Sequence, residues 1–219
     1  MDLPAALFPL GLSLGLDLLA VVLLALAAWR VPWRQLDPDV LNAWMGACVL
    51  VMLLWSLKGH YKAGLSFHLL GVAALTLLMG PLLALIASAV VLIGVCLAGG
   101  GDALALGMNW LICALVPVGV VTLALQLTQR YLPPNLFIYV FLNAFLASGV
   151  SLVLASLVGI GFLVAFGVYS WSALYQDVLP YYLLLSWSEA FTSGLMMVIL
   201  IVYKPQWVSS FDDARYLND

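Results

Sequence analysis

Five side chains stand where apolar surroundings make them expensive. Asp17, His68, Asn109, Asn143 and Glu189 each interrupt a long hydrophobic run. In lipid such groups face the interior of a bundle and mark a site, a pathway or a packing contact. His68 reads either as a ligand or as a donor to a backbone carbonyl. Asn109 and Asn143 read as interhelical hydrogen-bond partners, each worth about 0.6–2 kcal/mol. Ser186, Glu189 and Ser193 fall at i, i+3 and i+7, one polar stripe that must face other helices. Asp17 is either a protonated structural group or part of a polar path. Cys48, Cys96 and Cys113 are isolated in apolar runs, with no CxxC pair or zinc spacing, and read as small hydrophobes.

The sequence has no GxxxxGK[ST] phosphate loop, so the chain cannot use ATP in the Walker manner. It has no HExxH and no hydrolase-like Ser/His motif, and enzymatic chemistry ranks last. Of 219 residues 66% are hydrophobic and 8% charged, with mean hydropathy +1.17. A soluble domain carries about 25% charged residues. So little charge cannot cover a globule in water, nor form a basic nucleic-acid surface. The composition predicts an all-α polytopic membrane protein, a single integral domain over residues 1–219 in contact with lipid.

The elements that must position the five residues follow from the apolar runs. The first, Leu7–Trp29, is expected as an uncleaved helix, because no Lys or Arg precedes it as in a signal peptide. Val40–Leu57 is the second. Residues 63–98 then run uncharged, roughly 54 Å as one helix against a hydrocarbon core of about 30 Å. Gly80-Pro81 is the natural break, giving helices over 63–79 and 81–98. Further spans are expected over 104–126, 136–158 and 181–203, with a polar tail over 204–219. Tyr169, Trp171, Tyr175, Tyr181 and Tyr182 suggest an interfacial belt. Gly11-x-x-x-Gly15 and Ala147, Ser151, Ala155 suggest small-residue seams.

Seven spans with the N-terminus outside put Arg30, Arg34, Arg130, Lys204 and Arg215 on the cytoplasmic side, and Lys58 and Lys62 outside. Six spans with the N-terminus inside divide the charges equally well, and the length argument favours seven. In the seven-span arrangement His68 and Asn109 each lie about five residues in from the outer end, roughly 8 Å deep, and Glu189 about eight, roughly 12 Å. Asp17 falls near the midplane. These four groups suit a site open to the exterior.

Three segments carry a family resemblance. Ser66-Phe67-His68-Leu69-Leu70-Gly71, followed by Gly80-Pro81, resembles the S-G-H-L-L-G…G-P segment of the CbiM/NikM cobalt and nickel permeases. Gly101-Asp102-Ala103-Leu104-Ala105-Leu106-Gly107-Met108-Asn109 is similar to their G-G-x-x-A-L-G-x-N turn. Ser188-Glu189-Ala190-Phe191-Thr192-Ser193-Gly194, then Tyr203-Lys204-Pro205, is similar to their E-G-x-x-T-G…x-R-P ending. The matches fall in order over nearly the whole chain.

The resemblance implies the seven-helix substrate-capture component of an energy-coupling factor (ECF) transporter, an ABC-type system of the bacterial cytoplasmic (inner) membrane. Its substrate would be a divalent transition metal, cobalt or nickel, with no permanent cofactor. A separate transmembrane coupling protein and ATPase subunits would power it. The implied ligands are the Met1 amine, the second residue and His68. Around them Asn109 and Glu189 are expected to orient ligands or polarise the entry path, with Asp17 and Asn143 as further candidates for either part. The second residue departs from the family, being Asp2 rather than histidine. A carboxylate is harder and less selective than imidazole with a deprotonated amide nitrogen, which suits square-planar Ni(II). The alternative is a non-transport membrane protein of the same fold that serves as an assembly partner.

Overall fold

The computed structural model describes residues 2–212 and 216. Six helices are long and apolar enough to cross a membrane: α1 (Leu10–Arg30), α2 (Pro38–Ser56), α4 (Pro81–Gly99), α5 (Ala103–Tyr131), α6 (Leu136–Ala165) and α8 (Leu179–Tyr203). Two short helices complete the set, α3 (Val72–Met79) and α7 (Trp171–Asp177). A hairpin of β1 (Gly59–Lys62) and β2 (Leu65–Phe67) follows α2. Local chemistry sets the boundaries. Asp37 accepts the Asp39 amide (2.8 Å) with Pro38 in the first turn of α2, and Pro81 begins α4 in the same way.

The expected helix over 63–79 is not formed as such. Residues 65–67 pair as β2, and helix begins only at Val72. Gly64 (φ +77°) turns the hairpin and Gly71 (φ +65°) stops helix from extending backwards, since both need a left-handed backbone. Gly80 (φ +79°) then separates α3 from α4, as the sequence suggested. The helix expected over 104–126 runs on to Tyr131 and the one over 136–158 to Ala165, taking Gly159 and Gly161 into regular helix.

α2 and α4 run parallel. Near their starts the Trp44 indole donates to the Leu83 carbonyl (3.1 Å), and near their ends Gly94 lies against Met52. The chain must therefore travel back between them through residues 57–80. α3 covers only about 12 Å of that return, and the hairpin and an extended stretch, 68–71, make up the rest. Every residue of α3 is buried. Beyond α8, the Ser209 and Ser210 amides donate to the Leu78 and Leu77 carbonyls (2.8 and 3.2 Å), which Gly80 leaves without helical partners.

Small residues draw α6 and α8 together antiparallel, with Gly149 against Ser186 and Ala190, and Gly194 against Phe145. Ala147, Ser151 and Ala155 are buried, as a seam requires. Gly11 and Gly15 instead have nothing within 4 Å of where a Cβ would stand, so that pair forms no seam among the described residues. Outward-facing Leu18, Val21, Leu50, Phe137 and Val202 give the bundle the apolar exterior that lipid demands.

Candidate metal-binding pocket

The chain ahead of α1 folds inward. Leu3 is fully buried, and both its backbone groups are paired with one side chain: its amide donates to Asn109 Oδ1 (2.8 Å) and its carbonyl accepts from Asn109 Nδ2 (3.0 Å). Two residues on, the Ala5 amide donates to Asp102 Oδ2 (2.8 Å), while Asp102 Oδ1 accepts the Leu104 amide at the start of α5 (3.0 Å). Non-helical backbone at this depth survives only if every polar group finds a partner. Asn109 and Asp102 provide them.

The extended stretch carrying His68 is held in the same manner. The Glu189 carboxylate in α8 accepts from the Leu70 and Gly71 amides (2.8 and 2.7 Å), two donors that the start of α3 leaves open. The Trp55 indole donates to the Leu70 carbonyl (2.8 Å). Trp55 also lies against the imidazole, with ring centroids 5.6 Å apart, and His68 Nδ1 sits 3.1 Å from the Leu69 carbonyl. Below the hairpin the Tyr182 hydroxyl donates to the Ser66 carbonyl (2.9 Å). Tyr182 is thereby buried, so it does not belong to the expected interfacial belt.

These two held segments close around one pocket, about 400 Å³ of unfilled space with its mouth included. Asp2, Lys58, His68, Asn109, Asp102 and Cys113 are among its walls. Lys58 Nζ and the Asp2 carboxylate form an ion pair there. Of the residues expected to bind, the structure brings Asp2, His68 and Asn109 to one pocket, while Met1 lies outside the described residues. Glu189 stands behind it and positions the His68 strand.

Asp17 and Asn143 lie elsewhere. Asp17 Oδ1 accepts the Gly107 amide (2.6 Å) at a lateral groove between α1 and α5, and any side chain at 107 would overlap the Asp17 backbone. Asn143 Oδ1 accepts from Thr128 Oγ1 (2.9 Å) in a different small cavity. Both serve helix packing, because their partners belong to neighbouring helices and not to the pocket. His68 itself precedes α3 in extended backbone, not inside a helix as its apolar context implied.

Sequence reasoning missed Lys58, read only as a topology marker, and also Trp55, Asp102, Cys96 and Cys113 as pocket walls. The available signal was Lys58's place immediately after an apolar span and ten residues before His68. Among the described residues no three His, Cys, Asp or Glu side chains form a ready-made metal cluster.

The family described as "Cobalt uptake substrate-specific transmembrane region" (CbiM) matches residues 2–207. No curated protein sequence matches the chain. Two crystal structures share the fold. A truncated transition metal transporter aligns with TM-score 0.76 at 20% identity, covering 93% of this chain and 99% of that one. A transition metal transporter aligns with TM-score 0.77 at 20% identity, covering 91% and 92%.

Proposed function

The chain belongs to the cobalt uptake substrate-specific transmembrane region family, a family of transporters rather than enzymes, and from that premise we propose that it captures a divalent transition-metal ion for import through the bacterial cytoplasmic membrane. Cobalt or nickel is the proposed substrate. The observation that carries the reading is the pocket where the inward-folded N-terminal segment meets His68. Two segments of irregular backbone, each tied down by a buried polar side chain, are what a site inside a membrane requires and what mere helix packing does not.

In the proposed site the His68 imidazole supplies a nitrogen donor, the Asp2 carboxylate an oxygen, and the Met1 amine a further nitrogen. Asn109 fixes the segment bearing Asp2, and Glu189 fixes the stretch bearing His68. Orienting partners of this kind change metal affinity about 10–100-fold. Lys58 holds Asp2 in place before metal binds, and its ammonium must move aside as an ion enters.

The proposed topology has seven crossings, with the N-terminus outside and the C-terminus cytoplasmic. The third crossing is the hairpin, residues 68–71 and α3 together, a reading supported by the parallel run of α2 and α4. Arg30, Arg34, Arg130 and Lys204 then share the cytoplasmic face. Arg215, counted with them from the sequence, lies outside the described residues. The energy source in this reading is an ECF-type assembly, a transmembrane coupling protein with ATPase subunits, since this chain has no phosphate loop of its own.

Titration of purified protein with Ni(II) and Co(II), its N-terminus unmodified, tests the proposal. One tightly bound ion per chain is expected, with that tight binding lost in His68→Ala. Unchanged binding in that variant would falsify the site. The Lys58–Asp2 pair inside the pocket is the one observation that favours the second reading, a partner protein that keeps the fold without transporting. Genes for a coupling protein and ATPase beside this one favour transport, and their absence favours the alternative.

A further inference from the structure

Next to the His68 pocket lies a second and wider hollow, about 830 Å³ with its open mouth included. His60, Ser66, Lys62, Asp2 and Asp102 line it. Asp2 and Asp102 also line the inner pocket, so the two spaces share a wall. In the hairpin register His60 stands directly opposite Ser66, and side chains so paired project from the same face with Cβ atoms about 5 Å apart.

The two members of this pair differ in a way that points to an occupant. His60 is exposed, whereas Ser66 is 1% exposed and its Oγ has no hydrogen-bond partner. A buried hydroxyl without a partner costs about 1–3 kcal/mol, and a ligand in the hollow removes that cost. The wall it shares with the inner pocket carries Asp2, paired with Lys58, and Asp102, whose two oxygens accept the Ala5 and Leu104 amides. The cation among its lining residues, Lys62, sits 4.9 Å over the Tyr61 ring.

We propose that this outer hollow is a second, weaker station for a divalent transition-metal ion, held by the His60 imidazole, the Asp2 carboxylate and the Ser66 hydroxyl on its way to the His68 pocket. The inference rests on the reading of the chain as a metal-capture component. Mixed nitrogen and oxygen donors suit Co(II) or Ni(II), whereas Mg(II) gains little from imidazole and keeps its water. The step is ligand exchange: coordinated waters leave as imidazole nitrogen and carboxylate oxygen bind, and no electrons are transferred. Asp2 is the donor that both stations can use, so the ion passes inward without becoming fully hydrated again.

The test is protection of His60 from diethyl pyrocarbonate, mapped by mass spectrometry on full-length protein in lipid nanodiscs. Co(II) is expected to slow modification of His60 about tenfold, in the natural protein and also in His68→Ala, while Mg(II) has no effect. Ser66→Ala, which leaves the hairpin backbone intact, raises the Co(II) concentration needed for protection about threefold. In stopped-flow mixing, quenching of Trp55 fluorescence reports arrival at His68, and His60→Ala slows it about tenfold at low metal. Natural protein that binds Co(II) at His68 yet shows no protection of His60 overturns the inference alone. Natural protein that binds no Co(II) overturns the capture reading, and the outer station with it.

Discussion

Asn109 and Asn143 are the same side chain at nearly the same burial, 3% and 1% exposed, in long helices adjacent in sequence. Asn143 meets the hydroxyl of Thr128 on a neighbouring helix. Asn109 meets both backbone groups of Leu3, which itself lies in no helix. The first contact joins two elements that already satisfy their own backbones. The second is the condition under which irregular chain can exist inside the membrane at all. A buried polar residue thus earns a functional reading from the kind of partner it holds, more than from its own cost of burial.

The largest expected effect belongs to the pocket side. Glu189→Ala leaves the Leu70 and Gly71 amides buried and unpaired, each costing about 1–3 kcal/mol. It should sharply lower the thermal unfolding temperature in detergent and abolish metal binding together, and Glu189→Gln, which keeps one acceptor, should fall between. Asn109→Ala should weaken Co(II) affinity about 10–100-fold, read by titration, because the segment bearing Asp2 is no longer fixed. Lys58→Met should act in the opposite direction, raising Co(II) affinity severalfold once no ammonium competes for Asp2; the one to two RT involved is modest for a partly exposed pair. Asn143→Ala should be the mildest, lowering stability by about 0.6–2 kcal/mol with metal affinity unchanged. If Asn143→Ala weakened binding as much as Asn109→Ala, the contrast between the two asparagines would collapse.

The same contrast explains what could be read in advance. His68, Asn109 and Glu189 were legible because a polar atom in an apolar run announces itself by its cost. The six long helices were legible because hydrocarbon thickness sets their length. The hairpin and residues 68–71 were hidden, since an uncharged apolar run looks the same whether its backbone pairs within a helix or with a distant carboxylate. Only the glycines at 64 and 71 hinted at it, and glycine is common in membrane helices for other reasons. The Asp2–Lys58 pair was illegible for a different reason: it joins residues 56 apart whose side chains each seemed to serve another purpose. Asp17 could not be placed from the sequence, because its partner is the Gly107 amide, a backbone group that no residue type reveals.

The carboxylate that holds the His68 stretch has a consequence for how the protein is made. Leu70 and Glu189 are 119 residues apart, so at about 5–20 residues per second a ribosome needs roughly 6–24 s to supply the acceptor after the donors have emerged. During that interval residues 68–71 have unpaired amides and α3 is too short to insert by itself. Until α8 arrives, those amides must find their partners in water or in another protein. Biosynthesis of this chain is therefore completed from its C-terminal end, and a ribosome stalled before Glu189 would leave a half-threaded protein with its binding pocket unmade.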